Sequence, residues 1–103
     1  MILLALPITI MADSPGEALQ RFEAGDYEDA LEVYENLLED TPDAARLNYT
    51  AGAAAYRAGD FKKAGKYFED ATSAPGEVPL ELQERAYYNL VNTLFRLGEA
   101  GRR

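Results

Sequence analysis

Residues 25–43 read GDYEDALEVYENLLEDTPD, and residues 59–75 read GDFKKAGKYFEDATSAP. Laid over one another at an offset of 34, Gly25-Asp26-Tyr27 falls on Gly59-Asp60-Phe61, Ala30 on Ala64, Tyr34 on Phe68 and Glu35 on Glu69. The match extends upstream, with Phe22 on Tyr56 and Ala18 on Gly52. A third, partial copy lies at an offset of 39 from the second. There Arg46, Tyr49, Tyr56, Arg57 and Gly59 fall on Arg85, Tyr88, Phe95, Arg96 and Gly98. The five extra residues are absorbed at Pro75-Gly76-Glu77-Val78-Pro79, a turn-rich stretch. A fixed period of this length marks units that cannot bury their apolar faces alone and must stack on their neighbours.

Within each unit the pattern is helical. Tyr27, Ala30, Leu31, Tyr34, Leu37 and Leu38 recur at the spacing of one helix face. Ser14-Pro15-Gly16-Glu17 has the form of a capping box with proline at the first helical position. Asp26 and Asp60 suit helix N-caps, Gly25 and Gly59 suit left-handed turns, and Thr41-Pro42 caps and opens a third helix. Pro79 opens a fifth. The expected helices span 15–24, 27–40, 43–57, 61–73 and 79–97. Gly52, Ala54, Ala64 and Ala71 let helices approach closely, and Tyr27, Phe61, Tyr34 and Phe68 fill the space between hairpins.

The 34-residue period, the glycine-aspartate-aromatic turn, the alanine three residues on and Pro42 at the closing turn together resemble the tetratricopeptide repeat. AYYNLVNTLFRLGE, residues 86–99, is similar to the first helix of such a repeat. The resemblance covers about residues 14–98 and implies an all-α fold: a solenoid of stacked antiparallel helical hairpins, with five helices in about two and a half repeats. The repeats lie near 14–44, 45–78 and 84–103, the last incomplete, within a domain spanning 14–103. Val91 stands where the family usually has glycine, and Ala51 where it has a larger, leucine-like residue.

Composition narrows the chemistry. The chain has 103 residues, enough for one domain. It contains neither cysteine nor histidine, so it has no thiolate or imidazole for nucleophilic, general-base or metal-ligand roles. No acidic series has the spacing of a calcium loop, and no glycine-rich phosphate loop occurs. The expectation is a non-enzymatic protein without cofactor, metal or small-molecule substrate. A net charge of −8 argues against nucleic-acid binding. The acidity is uneven: residues 13–43 hold eleven carboxylates against Arg21, whereas residues 44–103 hold seven against nine basic side chains. Asn48-Tyr49-Thr50 matches a glycosylation sequon but lies within an expected helix, so the match is read as chance.

In tetratricopeptide proteins the first helix of each hairpin lines the concave, ligand-binding face. The resemblance therefore implies a peptide groove lined by Arg46, Tyr49, Ala53, Tyr56 and Arg57, then by Arg85, Tyr88, Asn92, Phe95 and Arg96. Aromatic walls with guanidinium forks suit an extended peptide bearing carboxylates. The same arginines and tyrosines also fit a second reading, in which they pair and pack within the repeats. Asn92 is similar to the asparagine of carboxylate-clamp repeats, but Tyr49 and Tyr88 stand where the clamp's lysines would be. The favoured function is a protein-interaction module. The alternative is an assembly protein that forms homo-oligomers through an uncovered helix at 79–97.

Residues 1–12, MILLALPITIMA, carry no charge and are too few to span a bilayer. They fit the apolar region of a secretory signal, the favoured reading, and alternatively an N-terminal segment packed on the first helix. The first reading implies an exported, periplasmic or envelope-associated protein, the second a cytoplasmic one. With GDYEDAL and YYNLVNTLFRLGE, this start also resembles the small tetratricopeptide proteins of bacterial Bat-type aerotolerance operons. That narrower resemblance implies envelope partners with von Willebrand A domains.

Overall fold

The structure, a computed structural model, describes residues 13–101. The expectations for Met1–Ala12 and for the last two residues of the third repeat lie outside them. Five helices follow in order: α1 (Pro15–Glu23), α2 (Tyr27–Asp40), α3 (Ala45–Arg57), α4 (Phe61–Thr72) and α5 (Leu80–Ala100). Each packs on the next, and α5 also reaches back to α3. The all-α arrangement of stacked hairpins expected from the period is the one observed.

The hairpin turns have one cause, used twice. After α1, Gly25 takes φ 84°, the Gly25 N–H donates to Phe22 O, and the Asp26 N–H donates to Arg21 O. After α3, Gly59 takes φ 83°, and the same two bonds run from Gly59 to Tyr56 and from Asp60 to Ala55. These are Schellman closures, which need a residue free to adopt positive φ. Asp60 then caps α4 by accepting from the Lys63 N–H at 3.1 Å, whereas Asp26 holds the N-cap position of α2 without a side-chain bond. Ser14 caps α1 by accepting from the Glu17 N–H, and Glu17 turns its carboxylate to Arg21.

Several helix boundaries differ from expectation. Thr41 does not open the third helix; it ends α2, its hydroxyl donating back to Leu37 O. The N-cap of α3 is Ala44, which has no capping side chain. Asn48 supplies the missing tie from one turn inside, its amide donating to Pro42 O at 3.0 Å and Ala44 O at 3.1 Å. Asn48 is only 2% exposed, which also withdraws the sequon from any glycan-transferring enzyme. The fifth helix starts one residue later than expected and runs to Ala100 rather than Leu97.

The core is built largely of small residues. Ala18, Ala30, Ala51, Ala54, Ala55 and Ala64 are fully buried, and Leu31, Val33, Tyr34, Leu38 and Phe68 fill the space between them. α3 and α4 approach closely at Gly52. A Cβ on Gly52 would lie 2.8 Å from the ring carbons Cδ1 and Cε1 of Phe68, a ring that is itself buried. Gly65 on α4 is different: a Cβ there would meet Thr93 and Leu97 of α5 at 3.7 and 3.9 Å, ordinary contact distances.

Two glycines in helix interiors should therefore respond to alanine with opposite signs. Gly65→Ala should stabilise by up to about 1 kcal/mol through helix propensity. Gly52→Ala should destabilise by about 1–3 kcal/mol through overpacking, and the penalty should shrink in a Phe68→Leu background. Denaturant unfolding of the four variants measures both effects. Destabilisation by Gly65→Ala, or none by Gly52→Ala, would contradict the packing described.

Candidate functional site

The first helices of the second and third units, α3 and α5, lie side by side and form a trough. At its N-terminal end a cleft of about 240 Å³ is lined by Arg46, Tyr49 and Thr50 of α3, by Pro79, and by Glu81, Leu82 and Arg85 of α5. Arg46 and Arg85, 39 residues apart in the chain, thus share one opening. Arg85 is held by Glu81 at 2.8 Å, an exposed pair one helical turn apart. Among the described residues Arg46 has no ion-pair partner. Tyr49 forms both wall and core. Its ring lies 5.7 Å from that of Phe68, and its hydroxyl accepts from the Asn89 amide at 3.0 Å. That bond ties α3 to α5 at the floor of the trough. Thr50 in the cleft lining and Asn89 at the floor belong to the site beside the aligned positions. Thr50 lies one turn from Arg46, a spacing visible in sequence, whereas the Asn89 bond is a product of tertiary packing alone.

The other two groove arginines are placed differently. Arg57 lies over two rings of the preceding unit, 5.9 Å from the Phe22 centroid and 5.3 Å from that of Tyr27. Arg96 lies over the equivalent two rings one unit on, 6.0 Å from Tyr56 and 5.0 Å from Phe61. Each aromatic pair meets edge to face, at 5.2 Å for Phe22–Tyr27 and 5.3 Å for Tyr56–Phe61. A guanidinium over ring faces is attracted by their quadrupole. The C-terminal half of each first helix is thereby fastened to the hairpin before it. Tyr56, expected in the groove wall, is half-buried in this arrangement. Tyr88 and Phe95 are exposed, Tyr88 at 70%, and Asn92 is half-buried. The ten aligned positions therefore divide: Arg46, Tyr49 and Arg85 converge on the cleft, Arg57, Tyr56 and Arg96 join the hairpins, Tyr88 and Phe95 edge the open side of α5, and Ala53 and Asn92 are half-buried outside the cleft lining.

A second opening is acidic. A cavity of about 420 Å³ beside α2 and α4 is lined by Glu35, Glu39, Asp43 and Asp70, with Lys66 and Tyr67 among its other walls. Glu35 accepts from the Lys63 ammonium at 3.1 Å and from the Tyr67 hydroxyl. Burial, and then the hydrogen bond to the Glu35 carboxylate, push the Tyr67 hydroxyl well above the usual tyrosine range. Burial also raises Tyr34, partly offset by the hydroxyl of Thr50. A phenol that holds its proton this firmly serves as a donor that fixes Glu35, not as a base.

Residues 16–78 match the family model described as tetratricopeptide repeat. The chain belongs to the tetratricopeptide repeat family. No curated protein matches it. Tetratricopeptide repeats are in general a non-catalytic fold that mediates protein–protein interactions. The trough between α3 and α5 is therefore considered as a surface for a protein partner.

Two outcomes follow from the placement of these groups. Arg57→Ala and Arg96→Ala should each destabilise by about 0.5–1 kcal/mol, whereas Arg46→Ala and Arg85→Ala should stay within about 0.5 kcal/mol of the parent, as read by denaturant midpoints. The second outcome concerns Tyr67. Above about pH 10 the unfolded chain loses this proton while the folded chain retains it. The stabilisation is thus complete below that pH and declines as pH rises further. Tyr67→Phe should flatten this part of the alkaline stability profile. An unchanged profile would contradict the Tyr67–Glu35 bond.

Proposed function

We propose that the trough between α3 and α5 binds an extended segment of a partner protein, acidic or ending in a carboxylate. The observation that carries this reading is the convergence of Arg46 and Arg85 with Tyr49 on one cleft. Two guanidinium groups offer fork-shaped donors suited to carboxylates, and an adjacent aromatic wall offers apolar contact. The acidic cavity beside α2 and α4 would repel such a segment, so the charge distribution favours the cleft. Glu81 fits the same picture, since its carboxylate sits on Arg85 as a ligand carboxylate would. As an exposed pair it is worth only about 0.3–0.5 kcal/mol, little enough to be displaced. Arg57, Tyr56 and Arg96 support the trough from behind by fixing the hairpins.

The trough is short, so the expected affinity is micromolar, about −8 kcal/mol. Titration with an acidic extended peptide at low and high salt tests the proposal. Binding should weaken as salt rises, because exposed charges are screened. It should fall at least about tenfold in the Arg46→Glu/Arg85→Glu variant and tighten slightly in Glu81→Gln. Equal binding to the charge-reversed protein would remove the cleft from consideration and leave the two arginines without a recognition role.

A further inference from the structure

We propose that α5 also forms a homodimer interface, packing antiparallel against α5 of a second copy about a twofold axis at Val91. The helix buries only one side. Leu82, Ala86 and Thr93 are enclosed against the rest of the fold, while Leu80, Tyr87, Tyr88, Val91, Leu94 and Phe95 are exposed, Val91 at 64%. The exposed set is ordered. Leu80, Glu84, Tyr87, Val91, Leu94 and Gly98 alternate in steps of four and three, the spacing by which one helix presents a seam to another. Tyr88 and Phe95 flank that seam on one side.

The stripe is also symmetric about its middle. Tyr87 and Phe95 stand four residues either side of Val91, Tyr88 and Leu94 three, and Glu84 and Gly98 seven. A twofold interface requires this self-complementarity, because each contact between two positions occurs twice. In the antiparallel register Tyr87 of one copy meets Phe95 of the other, Tyr88 meets Leu94, and Val91 meets itself. Glu84 meets Gly98, which has no side chain to compete for the space. A parallel register would instead set Glu84 against Glu84 within an apolar layer. The antiparallel one holds those carboxylates about 21 Å apart along the helix. The six exposed side chains offer on the order of 700 Å² per copy, taking aromatic groups at the usual size, close to the ~800 Å² per partner of a standard interface.

The chain contains no cysteine, so single thiols can report the register. In sedimentation equilibrium the full chain should be a dimer that dissociates in the micromolar range. Val91→Glu should weaken it at least about a hundredfold by burying a paired like charge. Because Val91 is exposed in one copy, circular dichroism should show the variant folded. Under mild oxidation Val91→Cys should yield a covalent dimer. Tyr87→Cys alone should not, since its two copies lie about 12 Å apart along the helix, but a mixture of Tyr87→Cys with Phe95→Cys should. A concentration-independent monomer would overturn the proposal. If that monomer also shielded a thiol introduced at position 91 from alkylation, the chain's own apolar N-terminal segment would be the occupant. Equal cross-linking at positions 87, 91 and 94 would mean a parallel pair, and an unweakened Val91→Glu dimer would mean an interface elsewhere.

Discussion

The ring of Phe68 occupies space that any side chain at position 52 would need. That contact sets the distance between α3 and α4, and much of the remaining architecture follows. With the helices so close, the surrounding positions must be small, and Ala51, Ala54, Ala55 and Ala64 are fully buried. A core of alanines buries little area per residue, so its stability depends on close packing and many short contacts. Phe68 also touches Tyr49, whose hydroxyl takes the Asn89 amide of α5. One buried ring thus positions the α3–α4 hairpin and, through Tyr49, the helix that completes the trough.

The second organising device acts between units. An edge-to-face aromatic pair at one hairpin receives an arginine from the next first helix, at Phe22–Tyr27 with Arg57 and again at Tyr56–Phe61 with Arg96. The device survives the five-residue insertion between the second and third units, because the loop around Gly76 takes up the extra chain before α5 begins. In a stack where each unit touches only its neighbours, interface contacts of this kind determine whether the array behaves as one body. They also explain why four arginines at matching sequence positions divide into two roles. Arg57 and Arg96, further along their helices, have aromatic rings of the previous unit beneath them. Arg46 and Arg85, nearer the N-terminal ends, face the opening between α3 and α5.

This division was hidden in the sequence for a physical reason. The repeat period, the Gly25 and Gly59 turns and the apolar face of α2 are local or periodic signals, and the helices follow them closely. Thr41 has the chemistry of an N-cap, but the α2 carbonyls compete for its hydroxyl, while the opening turn of α3 is held by Asn48 from inside the fold. The Arg57 and Arg96 contacts join residues 30 or more positions apart, and nothing in the local pattern of either arginine marks them. The Asn89–Tyr49 bond is similar, with Asn92 the more conspicuous asparagine in sequence. Convergence of Arg46 and Arg85 was legible because it depends only on the repeat bringing equivalent positions onto neighbouring helices.

Tyr88 and Phe95 stand where the two surfaces of α5 meet. Toward one side the helix continues into Asn92 and the trough, and toward the other into Val91 and the apolar seam. A helix turns about 100° per residue, so neighbouring positions such as 91 and 92 belong to different faces, while 88 and 95 lie between them. The two aromatic rings cannot be fully covered by a second copy and also lie fully open to a bound segment. Occupation of the seam would therefore change the apolar wall that the trough presents. It would do so either by withdrawing the rings or by setting the second copy's Leu94 and Tyr87 beside them as an extended wall. In both cases dimerisation and segment binding share contacts, and linkage requires that each alter the other's free energy by the same amount. The outward-facing residues of α5 would thus link the two proposed surfaces, and they are residues that the packing of the core leaves exposed.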